Sequence, residues 1–471
     1  MNSGAAGARF FGGPHGRLAE LQSFASCGTD LVFTQGMTGH DATTGRVVRD
    51  LNELPTALRS RIPAGMVISD VPEARIRAQT LLALDYARRA LEEAGSSLTQ
   101  LVTLRLFLRD MRDAAAAVGA VKSVLGANTP ATTVIEATGP GVDPDLDVVL
   151  DAVGASSGGR FVPRHVQVPG MERLTGGFPA ATVLGPYVFT TPVSGADAQT
   201  GLVATTRDAL NGDERAMLDD DYFDPRQEAL AVEQMLMWRN VKRILAATGV
   251  PFENILHQNN WLTVSMQHYV PVTRVRARLF GLATARTAAT SLPISAVRTP
   301  GAAFECSVTG VIAGHESAGF RKEIRVDSHG VGPYYLGAVK AGPCVFAAGE
   351  VPVRTTTGAG PHLVARAADL NDDLRQLNFG RIHAEYPLMA QAHCVYELIV
   401  EALQRYGCTL QDVLHQTVYL VEPAHYPALE RIATLHYGVR LPPTTLVPIR
   451  GASPFAATLL EIEVTAHAGN G

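Results

Sequence analysis

Three copies of one sequence pattern follow each other along the chain, and this repeat limits the possible folds more than any other feature. An apolar segment that runs into a turn occurs at residues 31–36, 187–192 and 344–349. The phenylalanine inside each segment lies 156 or 157 residues from the next one (189 − 33 and 346 − 189). Repeats of about 20 to 50 residues build solenoids, whereas a period of this length is the size of a whole domain.

A second recurring segment supports the same division. It lies near the end of each copy, at residues 130–134, 288–292 and 442–446. The repeat therefore predicts three related domains in tandem, which we call units one, two and three. Their predicted bounds are 18–155, 165–313 and 325–468.

The composition is typical of a globular protein: 46% of the 471 residues are hydrophobic and 18% are charged. No run of about 20 apolar residues occurs, so we expect neither a membrane span nor a membrane partner. The formal charge of −5 and the absence of a basic tract argue against nucleic acid as a partner. Residues 1–17 have no continuous apolar core, and we expect a flexible leader rather than a secretory signal.

The cysteines indicate the redox compartment of the protein. There are five, an odd number, and none has the C-x-x-C spacing. This usage predicts a reducing compartment, which we take to be the cytoplasm, with neither a disulfide framework nor a zinc site. The acidic run 219–221 lacks calcium-loop spacing, so no metal is expected. The glycines form no phosphate-binding loop, and the sequence asks for no cofactor.

Unit one shows the order of elements most plainly. Residues 31–37 and 46–48 flank a polar turn, and we expect them to form a hairpin. Apolar residues spaced three or four apart over 81–94 predict a helix, and Gly95 suits its C-terminal cap. The segments after it predict a strand, a helix and two closing strands, at 101–108, 111–125, 131–137 and 146–153. Because each helix carries one apolar stripe, both must cover the same face of a mixed sheet.

These elements, in this order, resemble the RidA/YjgF superfamily. The residues that carry the resemblance are a turn ending in Thr44-Gly45, the helix end at 94–98, the strand at 102–108, the Pro-Ala-x-Thr at 130–133 and the Glu-Ile-Glu at 461–463. The match is best in units one and three. The resemblance implies a chorismate-mutase-like α/β (α+β) domain that forms trimers with ligand clefts between subunits. Three tandem copies then predict an intramolecular pseudo-trimer, present as a monomer or a weak homo-oligomer, whose clefts are free to diverge.

The resemblance also identifies a missing residue. In the deaminase branch of the family, the variable position of Pro-Ala-x-[ST] holds an arginine that binds the substrate carboxylate, as a bidentate guanidinium can. Here the matching positions hold Thr132, Thr290 and Thr444. A threonine can orient a substrate through a hydrogen bond but cannot neutralise a carboxylate, so these residues are either substrate-binding groups or ordinary strand residues.

The acidic position of the last strand differs between the units. The resemblance places there a glutamate that positions water, and the matching residues are Asp151, Ser307 and Glu463, each 156 residues apart. Asp151 and Glu463 are therefore the candidate catalytic residues, if they face a cleft. A carboxylate at a strand end that faces solvent is the alternative.

Four further residues are candidates for substrate binding. Tyr334 and Glu350 occupy positions at which the resemblance places cleft-lining residues. His257 and His415 recur at equivalent strand positions, where they could shuttle protons or serve only in packing.

Together these features favour a cofactor-free enzyme that acts on a small polar metabolite in an inter-domain cleft. The expected reaction is hydrolysis or rearrangement at an imine, enamine or related bond, plausibly in a specialised pathway. Two alternatives stay open at this point: a non-catalytic binding or scaffold protein, and a chorismatase-like lyase or hydrolase. The last would need cationic residues in the cleft, where the sequence does not place Arg105, Arg274 or Arg431.

Overall fold

A computed structural model gives the architecture of most of the chain. The described residues are 9–11, 23–28, 30–59, 73–219, 222, 224–281, 285–316, 319–325, 336–356, 360–366, 369, 386–438 and 440–469. No helix within these ranges combines the length and the apolar composition that crossing a bilayer requires.

Unit one forms an eight-stranded sheet with helices against one face. Its strands are β1 (Arg9–Phe11), β2 (Ala25–Cys27), β3 (Leu31–Thr34), β4 (Met37–Thr38), β5 (Leu101–Leu108), β6 (Ala131–Glu136) and β7 (Val148–Ala155). Its helices are α1 (Thr56–Arg59), α2 (Ala74–Glu93) and α3 (Ala114–Leu125). The strand order is β1-β2-β3-β7-β5-β6, with β4 beside β7, and the eighth strand comes from unit two.

The hairpin predicted for unit one assigns the wrong partner strand to residues 31–37. Strand β3 pairs with β2, in the register Ala25↔Thr34 and Cys27↔Val32. Residues 46–48 instead pair with residues 39–41, through the bridge between His40 and Val47 and a hydrogen bond from the N–H of Val48 to the carbonyl of Gly39. Hydrogen bonds between Asp41 and residues 45 and 46 close the polar turn between them.

Unit two repeats the arrangement in a seven-stranded sheet. Its strands are β8 (Pro163–Val166), β9 (Ala181–Leu184), β10 (Tyr187–Thr190), β11 (Val193–Ser194), β12 (Ile255–Leu262), β13 (Ala288–Pro293), β14 (Ala296–Val297) and β15 (Phe304–Val311). Its helices are α4 (Glu172–Thr175), α5 (Gly212–Ala216), α6 (Pro225–Thr248) and α7 (Tyr269–Phe280). Strand β14 leaves this sheet and pairs with β6, which ties unit two to unit one through backbone hydrogen bonds.

Unit three has a six-stranded sheet and a separate two-stranded one. Its strands are β16 (Glu323–Ile324), β17 (Ala338–Ala341), β18 (Cys344–Ala347), β19 (Val353–Thr356), β20 (Gly360–Leu363), β21 (Val413–Leu420), β22 (Thr444–Pro448) and β23 (Leu460–His467). Its long helices are α8 (Tyr386–Gln404) and α9 (Tyr426–Tyr437).

The core topology is the same in all three units. The long middle strand, β5, β12 or β21, runs parallel to the strand after it and antiparallel to the last strand of its unit. Two long helices pack on one face of each sheet and bury its apolar side. The predicted α/β (α+β) fold in three tandem copies is thus confirmed.

The opposite faces of the three sheets meet at a common centre, which makes the chain an intramolecular pseudo-trimer. One shared apolar layer contains an equivalent phenylalanine from each unit: Phe33, Phe189 and Phe346. A second layer contains an equivalent aromatic residue from each unit: Phe107, Trp261 and Tyr419. Burial of apolar surface between units therefore stabilises their assembly.

Removal of one aromatic residue from the second layer tests this assembly. Trp261 is buried and its ring meets Phe107 and Tyr419 edge-on, at centroid distances of 6.3 and 6.2 Å. Trp261→Ala should reduce the free energy of unfolding by about 3–5 kcal/mol, since it leaves a cavity between three units. Urea denaturation measures this loss. The control Leu202→Ala removes a side chain that is 71% exposed, and it should change stability by no more than about 0.5 kcal/mol. An equally small loss for Trp261→Ala would contradict the packing.

Candidate active site

Polar residues from all three units lie between the two apolar layers. The middle strands contribute Arg105, Asn259 and Thr417, and the last strands place Asp151, Ser307 and Glu463 directly opposite them. All of them except Thr417 line a central cavity of about 110 Å³. We call Arg105, Asp151 and Glu463 the central ion cluster.

Arg105 connects unit one to unit three. Its guanidinium donates to both carboxylate oxygens of Asp151, at 2.8 and 2.6 Å, and to Glu463 at 3.2 Å. It also donates to the hydroxyl of Thr417 at 2.9 Å, while Thr445 donates to Asp151 at 2.7 Å. Burial works against the charge of Arg105, but the carboxylates outweigh burial and raise its pKa, so the guanidinium stays charged.

Glu463 is bound by donors from all three units. Besides Arg105, it accepts hydrogen bonds from Tyr419 at 3.0 Å, from Asn259 at 2.9 Å and from Thr290 at 2.6 Å. Burial favours the neutral carboxyl, but the charges and hydrogen bonds around it prevail and lower the pKa of Glu463 to about 2. Glu463 is therefore a carboxylate at neutral pH and has no proton to donate.

The two predicted histidines flank the central ion cluster. His257 lies 3.3 Å from the hydroxyl of Thr290 and 3.8 Å from Glu463. His415 lies 3.1 Å from the hydroxyl of Thr445 and stacks on Phe33. Burial lowers the pKa of both, to about 4 in His415, so both imidazoles are neutral near pH 7.

The structure thus brings most of the predicted site residues together, but at the centre of the pseudo-trimer rather than in a cleft between two units. Asp151, Glu463, Thr290, His257 and His415 share one polar network in which each has a protein partner. Because these groups already have hydrogen-bond partners within the protein, the network is better suited to holding the three units together than to catalysis on a substrate.

An open cleft lies elsewhere, between units two and three, with a cavity of about 110 Å³. Much of its wall is apolar. Its polar side chains are Tyr269 and Ser291 from unit two and Glu350, Glu401, Arg405, Ser453 and Glu461 from unit three. Of the predicted site residues that the structure describes, Glu350 is the one that lines this cleft.

Glu461 is the chemically distinctive residue of the cleft. It precedes Glu463 by two positions on β23, so both point to the same face of the sheet, with Glu461 nearer the seam between units. Burial raises the pKa of Glu461 well above its usual value, and the charges of Glu463 and Glu350 add to the rise. The backbone N–H of Ser291 opposes this but does not reverse it. The Glu461 carboxyl therefore holds a proton far more readily than an ordinary glutamate.

A glycine makes room for this carboxyl. A Cβ atom placed on Gly349 would lie 1.9 Å from a carboxyl oxygen of Glu461, far inside contact distance. In the segment 348–350, Gly349 is the residue that this close approach requires. It marks the point where the opposite strand must come close to a buried side chain.

Comparison with known proteins supports the assignment of these units. The family model described as "Endoribonuclease L-PSP" matches residues 62–153 and 327–468, which fall in units one and three. Through these two units, the chain belongs to the RidA/YjgF family. Unit two lies outside the matched regions, although its sheet has the same topology.

Solved structures include several members of this family. A putative endoribonuclease from Klebsiella pneumoniae is 28% identical, with 28% of this chain and 98% of that chain covered and a TM-score of 0.26. The YjgF gene product from E. coli is 18% identical, with 28% and 86% covered and a TM-score of 0.21. A chorismatase is 14% identical, with 78% and 93% covered and a TM-score of 0.45. No curated protein matches the chain.

The strand register corrects the position at which the RidA/YjgF deaminases are expected to carry arginine. Thr132 pairs with Leu104 and Thr444 with Gln416, but in unit two the residue paired with Gln258 is Ala289. The paired residues are 28 apart in units one and three (132 − 104 and 444 − 416) and 31 apart in unit two (289 − 258). Thr290 is therefore equivalent to Thr133 and Thr445, which face the centre.

Thr132 and Thr444 do not line the open cleft. Each hydroxyl donates to the carbonyl two residues before it, that of Pro130 at 2.8 Å and that of Pro442 at 2.9 Å. At the open cleft the arginine position holds Ala289, which can neither neutralise nor orient a substrate. Tyr334 lies outside the described residues.

The other two seams of this RidA/YjgF pseudo-trimer have a different chemistry. The residue equivalent to Glu461 is Glu305 in unit two, where the backbone and hydroxyl of Thr299 both donate to its carboxyl and Arg298 lies 3.9 Å away. In unit one the equivalent residue is Val149, whose side chain carries no carboxyl group. Among the described residues no group of three or more metal-ligating side chains was found at any seam.

The central ion cluster has a direct mutational test. Arg105→Met removes the cation and leaves Asp151 and Glu463 buried side by side, so it should reduce the free energy of unfolding by about 3–5 kcal/mol. Urea denaturation at neutral pH measures the effect. Arg112→Met is the control, because Arg112 is 90% exposed in its pair with Asp110, and the substitution should leave the urea midpoint nearly unchanged. Equal losses for the two variants would show that the cluster does not join the units.

Proposed function

We propose that the chain is an enzyme that uses the cleft between units two and three, with Glu461 as its proton donor. The observation that carries the proposal is a buried carboxyl with a raised pKa that lines an open cleft. A carboxyl with a raised pKa in a cleft is a candidate catalytic group, because general-acid catalysis near neutral pH needs an acid that still holds its proton there.

The reaction that this site suits is hydrolysis or rearrangement at an imine or enamine. Glu461 gives its proton to the imine nitrogen, and the resulting carboxylate takes a proton from the water that attacks the carbon. The adduct then passes a proton to nitrogen, the C–N bond breaks, and a carbonyl compound and ammonia leave. Glu461 ends in its starting state, so no cofactor is consumed.

The cleft wall indicates the shape of the substrate. Leu336, Leu398 and Ala402 form part of its apolar lining. Ligand sites of this type bind the apolar part of a molecule by burial and fix its orientation with few polar groups. We therefore propose a small metabolite with an apolar part next to its C–N bond, rather than a uniformly polar one.

Two further proposals concern the setting of the reaction. The five cysteines are free and buried, which supports a reducing, cytoplasmic environment. The three units satisfy their own inter-unit contacts, which supports action as a single chain. A specialised pathway remains our proposal, because no unit carries the arginine of the deaminase branch at the expected position.

A non-catalytic binding protein is the second candidate, and the mainly apolar wall of the cleft favours it. The chorismatase-like alternative needs a cation in the cleft, and Arg405 lines it. Of the arginines named from the sequence, Arg105 is held at the centre by carboxylates, and Arg274 pairs with Asp219 on the exposed side of unit two.

A matched pair of glutamate variants tests the catalytic proposal. Freshly generated 2-imino acids and enamines with aliphatic and aromatic side chains are offered, and release of the carbonyl product is measured. Glu461→Gln should lose about 100-fold or more in kcat, because the amide cannot donate a proton of comparable acidity. Glu305→Gln changes the equivalent residue at another seam and should keep wild-type rates. No turnover by the wild type, or equal loss in both variants, would remove Glu461 from its assigned role.

The pH dependence gives a second test. Because the protonated form of Glu461 is the active one, kcat/KM should be constant at low pH and fall as pH rises through its raised pKa. Removal of the nearby negative charge in Glu350→Gln should lower that pKa, and the descending limb should move to lower pH. A limb that rises with pH, or that does not move in Glu350→Gln, would contradict the assignment.

A further inference from the structure

The seam between units one and three holds a hydroxyl, an imidazole and a carboxylate in a row. The hydroxyl of Thr38 lies 2.8 Å from Nδ1 of His40, and Nε2 of His40 lies 3.1 Å from Oδ2 of Asp143. The side chains of His40 and Asp143 are 33% and 35% exposed, and Thr38 is partly exposed. Solvent therefore reaches all three residues, which we call the hydroxyl relay.

Thr38 occupies the same position in its seam as a wall residue of the open cleft. The N–H of Gly36 donates to a carbonyl of unit three at 3.1 Å, and the N–H of Gly349 donates to a carbonyl of unit two at 3.2 Å. Thr38 lies two residues after the first glycine, as Val351 lies two residues after the second, and Val351 lines the open cleft. The hydroxyl of Thr38 therefore belongs to a cleft position, opposite Val149 rather than an acid.

The contacts of Asp143 fix the direction of proton transfer in the relay. The N–H of Asp145 donates to Oδ1 of Asp143 at 2.8 Å. This hydrogen bond, together with His40, holds the pKa of Asp143 below its usual value despite partial burial, so the residue is a carboxylate near pH 7. A carboxylate only accepts, so Nε2 of the neutral imidazole carries the hydrogen and Nδ1 accepts. Thr38 is then the donor of the 2.8 Å contact.

The backbone on both sides of this contact is held in place. The hydroxyl of Tyr86 donates to the carbonyl of His40 at 2.9 Å, and His40 forms a β-bridge with Val47. Thr38 pairs with Val149 in the sheet of unit one. A hydroxyl and an unprotonated imidazole nitrogen are thus kept within hydrogen-bond reach, with a third group on the far side of the ring. Activated nucleophiles are recognised by this arrangement.

We propose that Thr38 is the nucleophile of a second active site, with His40 as its general base. Asp143 is a positioning residue that acts through the imidazole. The site goes beyond the reaction proposed for the open cleft and uses none of its residues. One carboxylate and two neutral groups give the relay a net negative charge, which repels an anionic phosphate or carboxylate but not a neutral acyl carbonyl. The substrate class is therefore a neutral carboxylic ester.

The reaction has two halves. Oγ1 of Thr38 attacks the ester carbonyl while Nδ1 of His40 takes the hydroxyl proton. The adduct collapses, the C–O bond to the alcohol breaks, and the alcohol leaves with the proton from Nδ1. Water then gives a proton to Nδ1 and attacks the acyl-threonine, and that proton returns to Oγ1 as the carboxylic acid departs. Thr38 and His40 end as they began, and the net reaction consumes one water molecule.

Hydrolysis of p-nitrophenyl acetate by the full chain tests the nucleophile. The wild type should release nitrophenolate and carry an acetyl group on Thr38, which acid quenching and peptide mass spectrometry locate. Thr38→Val keeps the shape of the side chain but removes the hydroxyl, so it should lose the adduct and release nitrophenolate about 100-fold more slowly. Thr38→Ser should keep both the adduct and the release.

Asp143→Asn separates catalysis from a structural role. An amide donates to Nε2, so the ring hydrogen moves to Nδ1, which then cannot accept from Thr38. Nitrogen-15 NMR of the His40 ring should show this change of tautomer, and acetylation should slow by about 100-fold. The control Ser194→Ala removes the equivalent hydroxyl of unit two, where Ala196 stands in place of the histidine. It should leave the release and the adduct unchanged.

The site requires both an acetyl group on Thr38 and release that depends on its hydroxyl. Equal release by the wild type and Thr38→Val, or an acetyl group on other residues only, would overturn it. An unchanged tautomer and rate in Asp143→Asn would overturn the role of the carboxylate and with it the relay. None of these outcomes involves the imine reaction of the open cleft, so the two active sites succeed or fail separately.

Discussion

The pairing of Arg105 with two carboxylates is the interaction on which the rest of the structure depends. One guanidinium from unit one neutralises Asp151 of its own sheet and Glu463 of unit three, while donors from unit two complete the shell of Glu463. Charges at this depth are tolerated only when they are paired and hydrogen-bonded. The polar centre therefore requires all three units to be in place, and the apolar layers on either side of it close around that arrangement.

Fusion of the units into one chain makes this centre possible. In a symmetric trimer, three identical residues would occupy each ring of positions, and three arginines or three glutamates there would repel each other. Here the equivalent positions hold Arg105, Asn259 and Thr417, and opposite them two acids and a serine. The same freedom applies at the seams. One holds the acid Glu461 in an open cleft, one surrounds Glu305 with Thr299 and Arg298, and one has Val149. Asymmetry at the centre and asymmetry at the seams have the same physical origin.

The sequence was sufficient for the architecture, because the repeat and the apolar periodicity depend on residues that are near each other along the chain. The strand at Leu101–Leu108 and the helix that ends before Gly95 lie where the pattern places them. What failed depended on three-dimensional register. The hairpin partner of β3 lies before it rather than after it, and Thr290 lies one residue after the position assigned to it, which Ala289 occupies.

The different roles of the two glutamates in β23 could not be predicted from sequence for the same reason. Glu461 and Glu463 share a face of β23, and residue spacing cannot tell which of them meets Arg105 and which meets the cleft. That distinction is made by side chains from the other two units, such as Thr290, Asn259 and Ser291. Their positions follow from the assembly of the sheets. Glu350 lines the cleft, and its position follows directly from the segment 348–350 that precedes its bridge to Ile462.

The most direct measurement of the central claim is the protonation state of these two glutamates. Infrared difference spectra of the wild type at neutral pH, each taken against a glutamine variant, would show the carbonyl stretch of any protonated carboxyl that the variant removes. We expect the carbonyl stretch of a protonated carboxyl in the difference against Glu461→Gln. In the difference against Glu463→Gln we expect a carboxylate band instead. A protonated band assigned to Glu463, or none assigned to Glu461, would contradict the division between a charged centre and a proton-donating cleft.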